Sequence, residues 1–235
     1  MPIHRTLNQD FFKKWSPEMA YVLGFFAADG SMIMNKRGSC FIEFTSTDKI
    51  LLEHIQKASG SNHGISVRPS RHQNWKVQYR LQIGSKEWFG DLTARGFTQH
   101  KSSTLTLPNI PDKYLGAFVR GYFDGDGCVY FNELQFADRQ RKRWILMTLF
   151  TSGSRDFLEQ LLARLRPHGI RGGSFGTKTR GTDLRFSHKD SLALYRLLYH
   201  TAPTSDLFLP RKREKLERAI NVLALDKKCG RSSTG

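Results

Sequence analysis

Cysteine, acidic residues and long apolar runs are all scarce in this chain of 235 residues. The three cysteines, Cys40, Cys128 and Cys229, lie far apart, which excludes a disulfide framework and a cysteine-based zinc site and fits a reducing compartment. No run approaches the ~18 apolar residues of a membrane-spanning helix. The N-terminal residues also lack the apolar core of a secretory signal peptide. We therefore expect an intracellular protein that is not secreted, in the cytoplasm, the nucleoid or an organelle matrix.

Basic residues, in contrast, are abundant. Thirty-seven Lys and Arg against 21 Asp and Glu give a formal net charge of +16. So large an excess repels itself unless a polyanion neutralises it, and nucleic acid is the commonest intracellular polyanion. A basic enzyme unrelated to nucleic acid, or a protein that contacts anionic lipid, stays open at this point. The eight histidines are scattered without the spacing of paired ligands, so no zinc site is predicted.

The chain contains one sequence pattern twice. Residues 22–30 read VLGFFAADG and residues 119–127 read VRGYFDGDG. Downstream of each copy comes Phe-Thr-Ser, which leads into an amphipathic segment, and LQIGSKE in the first copy is echoed by LRFSHKD in the second. Three matches in the same order indicate a tandem duplication.

Both copies predict the same order of elements. A helix begins at Ser16-Pro17-Glu18, with a capping hydroxyl and a proline at the first helical position, and a less ideal one begins at Pro111-Asp112. The strand patterns are SCFIEFTS, NWKVQYRLQIG, RWILMTLFTS and TDLRFSH. The further helical patterns lie at residues 48–59, 85–95, 154–166, 189–200 and, at the C-terminal end, 211–225.

These elements predict an α+β fold of two tandem α-β-β-α-β-β-α halves with antiparallel sheets, each covered by helices on one face. The first half spans residues 1–98, a linker spans 99–111, and the second half with the C-terminal helix spans 112–235. The Asp-Gly pair that closes each repeated nonapeptide is expected to end a helix, with the glycine in the left-handed conformation.

Small residues occur four apart in each repeated helix, a spacing that places them on one face. The pairs are Gly24 with Ala28 and Gly121 with Gly125. If the two helices pack through these faces, Asp29 and Asp126 meet at two helix C-termini, where the macrodipole is already negative. Such a pair requires a divalent cation, and carboxylates that hold Mg²⁺ against a phosphate are typical of phosphodiester hydrolysis. The alternative is that Asp-Gly only terminates each helix.

The two nonapeptides resemble the motifs of the LAGLIDADG homing endonucleases, in the single-chain form with both halves on one polypeptide. The likeness extends to the element order and to the segment LFLPRKREKL at residues 207–216. It implies that the motif helices form the interface between the halves and that Asp29 and Asp126, with Ala28 and Gly125 beside them, form the metal site. The implied cofactor is Mg²⁺, with Ca²⁺ or Mn²⁺ able to take its place.

The resemblance also implies an activity. A monomer would cut a long pseudo-palindromic site in double-stranded DNA across the minor groove and leave 3′ overhangs. This cleavage would serve intron homing. The two sheets would form a saddle whose strands lie in the major groove of the DNA. No contact with a membrane is expected. One departure concerns the sixth motif position, which is Ala27 in the first copy and Asp124 in the second. We interpret Asp124 as a structural polar contact.

A basic residue near each scissile phosphate is a further implication of the family. Lys101 is the candidate in the first half, and Arg211 or Lys212 in the second; a phosphate contact or a solvated charge is the alternative for each. The DNA readers should be alternate residues of the strands and their loops. The candidates are Asn35, Arg37, Arg68, Arg71, Gln73, Lys76, Gln78, Arg80, Gln82, Arg139, Arg141, Arg143, Lys178, Arg180 and Arg185.

Three alternatives remain open. A DNA-binding regulator or an RNA-splicing maturase would keep the fold and lose the cleavage, although both motif acids are present here. An intein endonuclease domain is less favoured, because the chain does not start with Cys or Ser or end with His-Asn. A basic protein of the membrane surface would need a cationic amphipathic helix with exposed aromatic residues, which is not found.

Overall fold

Two four-stranded antiparallel sheets, each covered by helices on one face, are built from the two halves of the sequence. The structure is a computed structural model that describes residues 5–68, 76–135, 142–179, 181–200 and 207–224. The elements of the first half are α1 (Pro17–Asp29), β1 (Gly30–Met34), β2 (Cys40–Ser46), α2 (Lys49–Ala58), β3 (Ile65–Arg68), β4 (Gln78–Gly84) and α3 (Lys86–Ala94). The predicted order of elements is confirmed.

The second half repeats this order. Its elements are α5 (Asp112–Asp126), β5 (Gly127–Leu134), β6 (Arg143–Ser152), α6 (Arg155–Leu165), β7 (Ser174–Lys178), β8 (Gly181–Phe186), α7 (His188–Tyr199) and α8 (Pro210–Leu223). The segment predicted as a linker contains a short helix, α4 (Lys101–Thr104). None of the helices in the described part of the chain has the length and apolar character to cross a membrane.

The strand orders are β1-β2-β4-β3 and β5-β6-β8-β7, with antiparallel neighbours throughout. Alternation along the strands separates two faces of each sheet. Ile42 and Phe44 of β2 are fully buried against the helices, whereas Glu43 between them points to the opposite side. We call this opposite side the open face of each sheet. It carries the polar side chains of the inner strands.

The helices α1 and α5 lie in the core. Every residue from Met19 to Ala27 of α1 is buried, so this part of the helix is enclosed on all sides. A helix that is apolar all round belongs in a protein interior. The Ser16 hydroxyl accepts a hydrogen bond from Met19 N at 3.1 Å and so caps α1 as predicted.

The prediction that a left-handed glycine ends each motif helix is wrong. Gly30 has φ −91° and ψ 157°, and Gly127 has φ −86° and ψ 154°, so both are extended and open β1 and β5 directly. The reason for glycine is packing: a side chain at Gly30 would overlap the ring of Phe26, and one at Gly127 the ring of Phe123. The phenylalanine of each motif thus occupies the space that a Cβ would need.

Candidate active site at the ends of the motif helices

The helices α1 and α5 touch through glycine. A Cβ at Gly24 would overlap the carbonyl oxygen of Phe118, and a Cβ at Gly121 would overlap that of Tyr21. Each helix therefore presses its backbone against the backbone of the other, as small residues at this spacing permit. The close contact predicted from the repeated glycines is confirmed.

This contact brings the C-terminal ends of both helices together. A Cβ at Gly125 would overlap the side chain of Ala28 and would lie 3.2 Å from Asp29 Oδ2. Burial, together with the negative charge of Asp126, raises the pKa of Asp29 to about 7. Burial likewise raises the pKa of Asp126. Two half-buried carboxylates at two negative helix ends form a strongly electronegative position.

The donor set at this position fits a hard divalent cation. Asp29 and Asp126 supply carboxylate oxygens, and the carbonyls of Ala28 and Gly125 belong to the same two helix ends. Within the described residues, no group of three or more His, Cys, Asp and Glu side chains could hold a metal. Mg²⁺ is commonly bound through one or two carboxylates with water and substrate phosphates completing its shell. The two acids therefore suit a cation shared with a phosphate better than a site made by protein alone.

Lys101 lies against the C-terminal end of α1. Its Nζ donates to Ala27 O at 2.8 Å and to Ala28 O at 3.4 Å, and lies 5.6 Å from the ring centroid of Phe26. These carbonyls are among the last of the helix and have no partner within it. The side chain is 6% exposed, and burial lowers its pKa to about 8. A positive charge at a helix C-terminus offsets the helix dipole.

Lys212 repeats this arrangement at the end of α5. Its Nζ donates to the carbonyls of Phe123 at 2.6 Å, Asp124 at 2.8 Å and Gly125 at 3.2 Å, and lies 5.5 Å from the Phe123 ring centroid. Burial lowers its pKa to about 8 as well. Of the two basic residues considered for the second half, Lys212 therefore occupies the place equivalent to Lys101.

Arg211, the other candidate, makes a different contact. Its Nε donates to Asp48 Oδ1 at 3.0 Å and its Nη2 to Asp48 Oδ2 at 2.6 Å. Because this bidentate pair joins α8 to the residue preceding α2, Arg211 ties the two halves together. It also lines a cavity of about 140 Å³ with Asp29 and Gly125. Arg211 therefore borders the cavity beside Asp29, and the end of α5 is contacted by Lys212.

The electrostatic effects of the two lysines and the two acids extend from one half to the other. The negative charge of Asp126 raises the pKa of Lys101 more than the negative charge of Asp29 does. This holds although Lys101 contacts the end of α1, the helix that carries Asp29. Conversely, Lys212 lowers the pKa of Asp29 more than Lys101 does. Of Asp29 and Asp126, each lysine therefore acts more strongly on the acid at the end of the opposite motif helix, although Asp124 raises the pKa of Lys212 most. The site is a single unit to which both halves contribute, and neither half contains a complete set.

Asp124, the departure at the sixth motif position, is a buried structural anchor. Its Oδ2 accepts from Tyr21 Oη at 2.7 Å and from Leu209 N at 2.9 Å. Burial raises its pKa to about 6, against the hydrogen bond from Tyr21. Leu209 is the residue before α8, so Asp124 holds the start of the helix that carries Lys212. Ala27 provides no such anchor for Lys101.

The candidate DNA readers among the described residues are distributed over the open faces and the hairpin loops. Gln78, Arg80 and Gln82 alternate with the buried Leu81 and Ile83, as predicted. Arg68 and Arg185 also lie beside acids of the open faces, as does Lys178. Exposed positions hold Arg37, Lys76 and Arg143. Five candidates lie outside the described residues: Arg71, Gln73, Arg139, Arg141 and Arg180.

Asn35 has a local role in the hairpin between β1 and β2. Its Oδ1 accepts from Arg37 N and Ser39 N, both at 2.9 Å. A side chain that closes its own turn in this way presents less of itself to a ligand. The carbonyl oxygen of the Asn35 side chain is therefore committed to the turn, while Arg37 projects from it.

Two acids of the open faces escaped prediction. Glu43 is the single charged residue of CFIEFTS, and Asp183 interrupts the strand TDLRF. Both are buried, and both contact cationic side chains. For Glu43 a signal was present, since a charge between the apolar Ile42 and Phe44 of a strand must face away from the core. What could not be read from the sequence is which cations surround it.

Comparison with known families and structures agrees with this architecture. Residues 16–93 match the model of the LAGLIDADG-like domain. The LAGLIDADG meganuclease I-AabMI bound to uncleaved DNA is similar over 91% of this chain and 92% of its own, with a TM-score of 0.60 and 15% identity. The homing endonuclease I-WcaI bound to its DNA recognition sequence is similar over 88% and 91%, with a TM-score of 0.57 and 16% identity.

Two curated proteins also match the sequence of this chain. The uncharacterized protein MJ0398 of Methanocaldococcus jannaschii is 25% identical over 226 residues, which cover 88% of this chain and 73% of the relative. An A-type ATP synthase chain of Methanopyrus kandleri is 27% identical over 126 residues, which cover 54% of this chain. The match spans 12% of the length of that ATP synthase chain. At these identities the solved structures establish the fold, and the chemistry rests on the residues themselves.

Proposed function

We propose that this chain, whose residues 16–93 match the LAGLIDADG-like domain and whose fold is that of the homing endonucleases, is a site-specific endonuclease for double-stranded DNA. It acts as a monomer with divalent metal, preferably Mg²⁺. It cuts a long, imperfectly palindromic site across the minor groove and leaves 3′ overhangs. Intron homing is the biological process that such an activity serves.

The observation that supports this most is the junction of the two motif helices. Backbone contact at Gly24 and Gly121 places Asp29 and Asp126 together, with a buried lysine at each helix end. A silent DNA-binding protein has no need of two half-buried acids that repel each other. The net charge of +16 and the polar open faces supply the attraction for DNA.

The residues of the chain have separable roles in this reaction. Asp29 and Asp126, with the carbonyls of Ala28 and Gly125, would hold the divalent cation, which when bound neutralises the phosphate and activates water. Lys101 and Lys212 place fixed positive charge beside the two acids, where negative charge develops on a cleaved phosphate. Because both ammonium groups are already held by backbone carbonyls, they need not reorganise during the reaction.

Cleavage of a defined target tests the proposal directly. The protein is incubated with Mg²⁺ and either the intron-less junction of its host gene or a library of randomised duplexes, and the cut ends are sequenced. We expect one preferred site with a 3′ overhang on each side. Specific binding without a nick in either strand would instead favour a regulator, and preferential binding of intron RNA would favour a maturase.

The two lysines should act on opposite strands. Lys101→Met and Lys212→Met each remove one positive charge from one helix end, and we expect each to slow cleavage of one strand by about 10²–10³-fold. The two variants should accumulate nicked duplexes of opposite polarity, which a duplex with a different fluorophore on each strand resolves. Lys215→Met, on the exposed side of α8, serves as the control. Equal slowing of both strands by each variant would contradict the assignment.

Affinity for DNA should depend strongly on salt. Each phosphate contact releases counterions, and the slope of log K against log salt is about −0.9 per neutralised phosphate. For a basic face that tracks about two turns of DNA we expect a slope steeper than about −5. Fluorescence anisotropy in Ca²⁺ across a series of KCl concentrations measures it. A nearly flat response would argue against DNA binding on the open faces.

A further inference from the structure

The open face of each sheet contains a buried carboxylate, on the surface where DNA lies under the proposed function. Glu43 of β2 is 5% exposed and Asp183 of β8 is 1% exposed. A carboxylate on a surface that faces a polyanion weakens binding, because it cancels positive charge and repels phosphate. The presence of one on each open face therefore calls for a role other than attraction.

In the first half, three donor side chains surround the carboxylate of Glu43. Its Oε1 is 3.4 Å from Arg68 Nη2, and its Oε2 is 3.5 Å from Arg80 Nη1 and 3.3 Å from Gln82 Nε2. Arg80 Nε is also 3.4 Å from Ser66 Oγ. The Arg80 side chain is thus held at two points of its guanidinium, and its remaining N–H groups are left for another acceptor.

In the second half, Asp183 has the same role with different partners. Its Oδ1 accepts from Lys178 Nζ at 2.7 Å and from Thr151 Oγ1 at 2.8 Å, and its Oδ2 is 3.2 Å from Arg185 Nη2. The guanidinium of Arg185 also lies across Gly176, where a Cβ would be 2.6 Å from Arg185 Cζ. A carboxylate and a glycine therefore restrict the orientation of this arginine.

The two acids are not remnants of the duplication. In the alignment of the repeats that pairs Phe44 with Phe150, Glu43 corresponds to Leu149. In the alignment that pairs Leu81 with Leu184, Asp183 corresponds to Arg80. Each half thus has its own acid at a position where the other half has none, which is what two half-sites of different sequence require.

We propose that Glu43 and Asp183 are specificity-determining residues, which orient Arg80 with Arg68 in one half and Arg185 with Lys178 in the other to read guanine. This inference rests on the proposed function. Arginine reads guanine through two parallel hydrogen bonds to O6 and N7, so its fork must be aimed correctly. A flexible arginine would bind any nearby phosphate instead. Each acid therefore lowers the affinity for DNA of any sequence and increases the preference for guanine.

Binding-site selection tests the proposal. The wild type, Glu43→Gln and Asp183→Asn select ligands from a randomised duplex library in Ca²⁺, and the bound pools are sequenced. We expect each variant to lose about tenfold or more of the guanine preference at adjacent positions of one half-site, in opposite half-sites for the two variants. Both variants should also bind an unrelated duplex more tightly than the wild type does.

Matched controls carry the same chemical change on the helical side of the sheets. Glu53→Gln in α2 breaks an exposed pair with Lys49, and Asp156→Asn in α6 alters a contact with Gln160. We expect neither to change base preference. Arg80→Ala should relax the same guanine position as Glu43→Gln, and the double variant should relax it no further, because both act through one guanidinium.

Two results would overturn the inference while leaving the proposed function in place. One is a specific wild type whose base preferences persist in both variants. The other is a G·C preference that Glu43→Gln loses and Arg80→Ala keeps, which would mean that the carboxylate reads a base itself. A wild type without any base preference would overturn the proposed function together with the inference.

Discussion

Asp29→Asn or Asp126→Asn should abolish double-strand cleavage. Each substitution removes one of two carboxylates that would hold the divalent cation, and the loss of such charge stabilisation is worth on the order of 10³-fold in rate or more. DNA affinity should stay equal or increase, because a negative charge that faces phosphate is lost. Single-turnover cleavage of the preferred site in Mg²⁺ measures the first quantity, and anisotropy binding in EDTA, without divalent metal, measures the second.

Stability separates this result from simple unfolding. The two carboxylates repel each other, so an amide at either position should leave the metal-free fold as stable as the wild type or more so. The wild type should melt at a higher temperature with Mg²⁺ or Ca²⁺, since a ligand of the folded state stabilises it, and both variants should lose most of that increase. Asp112→Asn, at the opposite end of α5 in an exposed pair with Arg164, is the control. Undiminished cutting by both site variants would refute the metal assignment.

Gly121→Ala should be strongly destabilising. The added methyl group would overlap the carbonyl oxygen of Tyr21, and a backbone atom cannot move aside as a side chain tip can. We expect a loss of about 3 kcal/mol, the upper end for overpacking, which lowers the melting temperature by roughly 6–12 °C in a protein of this size. Cleavage should fall as well, because the separation of the helices carries Asp29 and Asp126 apart.

Gly90→Ala provides a control with the opposite sign. Gly90 lies within α3, and a Cβ there would meet no atom within 4 Å. Alanine is a better helix former than glycine, so this variant should be more stable by about 0.5–1 kcal/mol. Thermal unfolding of the two variants side by side distinguishes the steric effect from the general effect of glycine replacement. Equal melting temperatures would show that the helices do not pack as closely as the structure indicates.

Several features of the site follow from local sequence patterns. The repeated nonapeptides, with glycines four apart, predict a close helix pair and two neighbouring acids, because helical spacing alone places these residues on one face. Alternation in QYRLQIG likewise predicts which side of β4 holds Gln78, Arg80 and Gln82. These inferences depend on short-range periodicity, which is a property of the local chain.

Other features depended on contacts between distant parts of the chain. The sequence offered Arg211 and Lys212 as equal candidates, and only the packing of α8 assigned Lys212 to the helix end and Arg211 to Asp48. The expected left-handed glycines are extended, because the rings of Phe26 and Phe123 occupy the space of a Cβ. A local pattern indicates that glycine is needed there but does not reveal the atom that requires it.

The sequence by itself therefore determined the duplication, the order of elements, the helix pair and the two acids, since each follows from spacing along one segment. The tertiary structure decided how these parts act together. It showed that, of Asp29 and Asp126, each lysine acts more strongly on the acid of the opposite motif, that Asp124 anchors the start of α8, and that Glu43 and Asp183 hold arginines on the open faces. These pairings join residues from different segments, and only the packed chain specifies their distances.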